Sequence, residues 1–160
     1  MKIIEYKDKY LEDVRDLLVE LEEYIISIDK DELDTLHPEY REKMALIDLE
    51  KVKNNNGKCY LAIENNKAIG LIIGIVSSYN EYDYLDYKCP KRGEIIELIV
   101  TSKIRSTGVG QLLMNKMEKY FKSVKCKYVL TDVFGYNDMA LKFYFKQGYR
   151  PRMLTTIKKL

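Results

Sequence analysis

A chain of 160 residues, 46% hydrophobic and 32% charged, fits one domain spanning 1–160 and is too apolar to be disordered. The formal net charge is +2 and there is no basic run, which argues against a dedicated nucleic-acid binder. No apolar run approaches the roughly 18 residues that a membrane span needs.

Cys59, Cys89 and Cys126 lie far apart and outside any CxxC spacing, so neither a disulfide framework nor a zinc site is expected. The single histidine, His37, stands beside Pro38 in a polar stretch and reads as a surface residue near a helix start. One histidine leaves no multi-histidine metal site. The N-terminus, MKIIEYKDKY, lacks a long apolar core and a small-residue cleavage site. The expectation is an unexported, cytoplasmic protein with reduced thiols and no metal.

Residues 2–6 (KIIEY) are a plausible first strand. From 10 to 28 apolar residues recur at Leu11, Val14, Leu17, Leu18, Leu21, Ile25 and Ile28, which predicts an amphipathic helix with acids on its other face. The polar connection 29–38 (DKDELDTLHP) leads to a second helix ending near Lys53, stopped by NNNG at 54–57. Residues 58–64 and 67–76 are strand-like and meet at Asn65 and Asn66, so they predict an antiparallel hairpin, with Gly70 and Gly74 marking a bulge or a close approach. The tyrosine- and acid-rich 79–89 (YNEYDYLDYKC) reads as a loop at the strand ends. Residues 94–100, rich in Ile, Leu and Val, are expected as a buried strand. Apolar residues at 109, 112, 113, 117, 120, 121 and 124 then follow helical spacing. Next come a strand at 128–134 (YVLTDVF), a helix from about Asp138 to Gln147 with Asn137 as its cap and Gly148 as its stop, and an alternating segment at 153–159 (MLTTIKK) expected as a closing edge strand. The order predicts a three-layer mixed α/β domain.

The junction between the 94–100 strand and the following helix is the informative stretch. Arg105, Ser106, Thr107, Gly108, Val109 and Gly110 form a small-residue turn that would aim free N–H groups at an anion. It lacks GxxxxGK[ST], and reading on from Gly108 the third glycine of a dinucleotide fingerprint is missing. The remaining pattern, Arg105 followed by Gly108 and Gly110, closely resembles the R/Q-x-x-G-x-G/A signature of the GNAT superfamily of acyl-CoA-dependent N-acetyltransferases. The second signature of that family is similar to Asn137, Ala140, Tyr144, Gly148 and Tyr149 in NDMALKFYFKQGY. With the hairpin and N-terminal helices also fitting, the resemblance covers essentially the whole chain. It departs at Ser106, where the family often has glycine. That departure matters only where the local φ must be positive.

The resemblance implies an α/β fold of GNAT type, α/β/α in three layers, with a mixed sheet of about six or seven strands and four main helices. It also implies acetyl-CoA as donor substrate, with residues 105–110 around the pyrophosphate. The backbone of Leu98, Ile99 and Val100 would pair with pantetheine as an added strand, with an N–H there stabilising the thioester oxyanion. Tyr144 matches the family's general acid, and Ala140, four residues earlier on one helix face, leaves room beside the phenol. Asn137 resembles the residue that contacts the pantetheine arm, although capping accounts for it equally well.

For the base, Glu94 and Glu97 lie in a core-like strand where a carboxylate needs a reason. In a regular strand they point to opposite faces. Glu97, flanked by Ile96 and Leu98, is the better candidate, with water or a structural role as alternatives. Acids in 29–34 and at Glu81, Asp83 and Asp86 would attract a small cationic amine if both segments border the acceptor cleft. The expected activity is acetyl transfer to a primary amine of a small molecule, or less readily of a protein, by a monomer or homodimer. The competing readings are a catalytically silent acyl-CoA sensor and a nucleotide-binding fold unrelated to CoA.

Overall fold

The computed structural model describes residues 1–160. Five strands form one sheet in the order β1 (Lys2–Glu5), β2 (Lys58–Glu64), β3 (Lys67–Ser77), β4 (Arg92–Val100) and β5 (Tyr128–Thr131). The first four pair antiparallel and β5 joins β4 in parallel. Helices α1 (Leu11–Ile28) and α2 (Tyr40–Asn54) belong to one face, and α3 (Val109–Ser123) and α4 (Asp138–Lys146) to the other.

Burial on both faces explains why β2 and β3 read as nearly continuous apolar runs. In β2, Cys59, Leu61 and Ile63 enter the core with Val14, Leu17 and Leu18 of α1, while Tyr60 and Ala62 enter the core with Leu113, Met114, Met117 and Phe121 of α3. Phe121 lies so close to the sheet that a Cβ at Gly93 would sit 2.6 Å from its ring. Helix α1 is tied to β3 by the Asp13 carboxylate, which accepts from the Ala68 N–H at 2.9 Å.

The polar connections have local structural roles. The Asp29 carboxylate accepts N–H groups from Asp31, Leu33 and Asp34 at 2.9, 2.6 and 3.0 Å, and these bonds hold its pKa below the usual carboxylate range. In the 79–89 loop, Asn80 donates backbone and side-chain N–H groups to Asp83. His37 is exposed and its Nδ1 accepts from the Glu39 N–H at 3.2 Å, just ahead of α2.

Three expectations are corrected. The sheet has five strands rather than six or seven. Residues 153–159 form no strand: 151–160 are exposed throughout and join no ladder, so the alternating apolar side chains have no surface against which to be buried. The last parallel strand stops at Thr131 instead of 134, because its pairing with β4 ends at Ile95 opposite Thr131. The bulge expected near Gly70 and Gly74 is present at both places. Ile69 is extra on β3 between Ala68 and Gly70, and Ile96 is extra on β4 opposite the Ile73–Gly74 step.

Candidate active site

The site lies beside the bulge at Ile96. Strand β4 runs on to Val100 while β5 has ended, so beyond Ile95 the β5 side of β4 has no strand partner. The opening is a cavity of about 250 Å³, walled by α1 (Leu21, Glu22, Ile25), α2 (Tyr40, Met44), β4 (Ile96, Glu97, Leu98), the chain leaving β5 and the first turns of α4. A larger depression of about 490 Å³ lies at Met1, Lys2 and the β2–β3 turn, away from this gap.

Glu97, Leu98, Asn137 and Tyr144 therefore share one cavity wall. Glu97 stands opposite Ile73 and Glu94 opposite Ile75, so the extra residue puts both carboxylates on the α1–α2 side. The expectation of opposite faces fails because β4 is not regular between them. Only Glu97 reaches the cavity. Burial pushes its pKa up to about 8; the Asp48 charge adds to this, Lys51 opposes it and Glu22 adds a little more. Asp48 is fully buried, its Oδ1 2.9 Å from Lys51 Nζ and its Oδ2 without a partner. Burial raises its pKa against the pull of Lys51.

Tyr144 is buried, and its pKa is raised by that burial and by the charge of Glu97, with the Thr131 hydroxyl acting in the other direction. A phenol so placed stays protonated, as a proton donor must. Asn137 is 7% exposed and caps α4 through Oδ1, which accepts from the Ala140 N–H at 3.0 Å and from the Tyr24 hydroxyl at 3.4 Å. Ile99 turns into the α1–α2 core and Val100 packs on the α3 side, so along this segment only backbone groups are offered at the β4 edge.

The 105–110 turn lies beyond the end of β4 and lines no part of the cavity. Gly108 takes φ +90°, and no atom lies within 4 Å of where its Cβ would be. Helix α3 starts at Val109 with no side-chain cap and no acid in its first turn, so its leading N–H groups have no side-chain acceptor and carry the positive end of the helix dipole. A Cβ at Gly110 would make ordinary contact with Phe143 at 3.5 Å, so packing alone does not demand glycine there. Ser106 has φ 66°, the condition under which serine in place of glycine carries strain. Arg105 donates from Nε to the Val100 carbonyl at 3.1 Å and lies over the Tyr24 ring at 4.9 Å. Glu20 links α1 to the same junction, accepting from the Thr101 hydroxyl at 2.9 Å and the Ser102 N–H at 2.6 Å. Burial works to raise the pKa of Glu20, but those bonds and the Arg105 charge keep it low. A bare, uncapped helix start fits the phosphates of a CoA donor, and the unpaired β4 edge leads from it to the cavity.

Glu22 and Tyr40 line the cavity but were not among the sequence candidates. Glu22 sits four residues after Leu18 and three before Ile25, so it lies on the flank of the apolar stripe, and that spacing was a usable signal. Neither 29–34 nor 79–87 contributes to the wall. The acids that do are Glu22, Glu97 and Asp132.

Residues 14–149 match the family model described as the acetyltransferase (GNAT) family, and the chain belongs to that family. It is 30% identical over 96 residues to the uncharacterized N-acetyltransferase MJ1530 of Methanocaldococcus jannaschii, covering 59% of this chain and 54% of that protein, so the match spans about half the relative's length. In fold it is similar to a mutant of BH1408 from Bacillus halodurans, with TM-score 0.80, 20% identity and coverage of 100% of this chain and 99% of that one. It is also similar to the aminoglycoside N-acetyltransferase AAC(6')-Iy in complex with CoA, with TM-score 0.68, 15% identity and coverage of 99% and 100%. No helix of the chain is long and apolar enough to cross a membrane.

Proposed function

We propose that residues 1–160 act as one domain that transfers the acetyl group of acetyl-CoA to a primary amine of a small molecule. The observation that carries this reading is the gap beside β4, where Glu97, Tyr144 and an unpaired strand edge meet in one cavity.

Residues Arg105, Ser106, Thr107, Gly108, Val109 and Gly110 bind the donor's phosphates, with backbone N–H groups at the start of α3 as the main contacts. The backbone from Leu98 to Val100 orients the donor along β4 and supplies a donor N–H for the oxygen on which charge develops. Asn137 lies on the same path. Glu97, whose raised pKa makes it a usable base near neutrality, takes a proton from the acceptor ammonium. The amine nitrogen then bonds to the acetyl carbon, the carbon–sulfur bond breaks, Tyr144 gives its hydroxyl proton to the leaving sulfur, and the second proton that the nitrogen sheds on becoming an amide restores the Tyr144 phenol. The net reaction consumes an ammonium and a thioester and yields an amide, a thiol and one proton. The walls carry acids and no cationic side chain, which supports a cationic acceptor. Three free cysteines support a reducing, cytoplasmic setting.

The test is thiol release from acetyl-CoA across a panel of amines. Turnover that depends on the amine is the expected result. Acetyl-CoA that raises the melting temperature, with no turnover for any amine, would instead support a sensor.

A further inference from the structure

Glu22 is a cavity-lining acid of α1 without an ion pair. On α1 and α2, Glu12, Asp16 and Glu42 each have an arginine partner, Arg15 or Arg41, within 2.9 Å. Glu22 has no ion pair, and its one protein hydrogen bond is a long one from the Tyr40 hydroxyl at 3.4 Å. It nonetheless lines the cavity, half-buried, together with Glu97, which also forms no ion pair. Burial and the charge of Asp34 both raise the pKa of Glu22. A partly desolvated carboxylate without a counter-charge is costly unless something entering the cavity supplies the charge.

Asn137, on the donor's path, borders the same space. Asn137 is 7% exposed and commits its Oδ1 to Ala140 and Tyr24, while its Nδ2 donates to no protein group and lies in the same wall.

We propose that the acceptor is a short aliphatic diamine whose second ammonium is held by Glu22 beside Tyr40 while its reacting amine faces Glu97. This rests on the acetyl-transfer reading above. With Glu22, Glu97 and Asp132 in the wall, charge favours an acceptor that carries more than one ammonium. Once Glu97 has taken a proton from the reacting amine it is neutral, and a monoamine then leaves Glu22 uncompensated. A second ammonium compensates it, and the Tyr40 ring adds a face on which a cation is favoured. The cavity walls also include Leu21, Ile25, Met44 and Phe134, which suit a methylene spacer better than a polyhydroxylated ring.

The experiment compares 1,5-diaminopentane with pentylamine, equal in chain length, as acceptors in the thiol-release assay, using the full chain and its Glu22→Gln and Glu22→Asp variants. The wild-type KM is expected to be at least roughly ten-fold lower for the diamine. Glu22→Gln should bring the two amines within about two-fold of each other by raising the diamine KM alone, and Glu22→Asp should restore part of the preference. A merely structural Glu22 would move both amines together, which overturns the proposal. Equal wild-type KM values overturn the diamine preference but leave acetyl transfer standing. No turnover with these or any other amine overturns both.

Discussion

Glu97 faces Ile73 across the sheet while its neighbour but one, Ile95, faces Gly74, so Ile96 is the single residue that β4 carries without a partner. That one residue moves Glu97 to the α1–α2 side, and the pairing with β5 also ends there, at Ile95. The candidate base and the gap in which it works are thus adjacent consequences of the same stretch of β4.

Because the pKa of Glu97 is pushed up to about 8 from the ordinary carboxylate value of 4.5, the folded protein binds more protons than the unfolded chain between those values. Its contribution to stability is therefore greatest below the lower value and falls as pH rises through the window. Glu97→Gln is expected to leave the melting temperature nearly unchanged at pH 4.5 and to stabilise by roughly 2 to 4 kcal/mol at pH 9. The same carboxylate must be ionised to act, so kcat/KM should rise with pH to a plateau with a midpoint near 8. Asp48→Asn, which removes a charge that raises this pKa, should move the midpoint downward. A midpoint unchanged in both variants would exclude Glu97 as the base.

Tyr144 packs edge-on against Phe143 and Tyr149, with ring centroids 5.4 and 5.3 Å away, so the ring position is set by contacts that Tyr144→Phe preserves. The variant should fold with little change in melting temperature and lose about 10² to 10⁴ in kcat. The KM for acetyl-CoA should stay within about two-fold. Burial raises the phenol's pKa, so the wild-type rate should hold above the pH at which an exposed tyrosine ionises. Unchanged kcat in the variant would reduce Tyr144 to a packing residue.

Ser106 at φ 66° and Gly108 at φ +90° occupy left-handed backbone in one turn, but only one of them is glycine. The left-handed conformation costs a serine roughly 1 to 2 kcal/mol, of which glycine's greater freedom in the unfolded chain takes back about half. Ser106→Gly should therefore raise the melting temperature by about 1 to 3 °C. The backbone N–H remains, so CoA affinity should change little. Gly108→Ala introduces the same kind of strain at a position now free of it, and should lower both the melting temperature and CoA affinity. Calorimetry of the two variants with and without CoA checks both signs.

Much of this arrangement was legible in the sequence, because it rests on local rules. The apolar spacing of α1 and α3, the Asn65–Asn66 hairpin, the Asn137 cap and the Gly108 turn each depend on residues close together in the chain. What was not legible depends on pairing across the sheet. The side on which Glu97 falls turns on the unpartnered Ile96, and nothing in EIIELIV signals which residue lacks a partner. Glu22 and Tyr40 meet Glu97 only once α1 and α2 are packed on β4. The segment at 153–159 shows the converse, since strand-like alternation produces no strand where no neighbour covers it.

The contact between Gly93 and Phe121 offers a test of the core on the α3 face. A Cβ at Gly93 would lie 2.6 to 2.7 Å from three atoms of the Phe121 ring, closer than real Cβ atoms approach, and the ring is 1% exposed with little space to retreat. Gly93→Ala is therefore expected to destabilise by roughly 2 to 3 kcal/mol through overpacking. Phe121→Leu alone leaves a cavity and costs a similar amount. If the clash is the cause, the double variant should be less destabilised than the sum of the two singles by about 1 kcal/mol or more, because each change makes room for the other. Chemical denaturation of the four proteins measures that difference. Strict additivity would mean that β4 shifts as a whole to admit the methyl group. Because Gly93 pairs with Val129 of β5, such a shift should also appear as a change in acetyl-CoA affinity at the gap beyond Ile95.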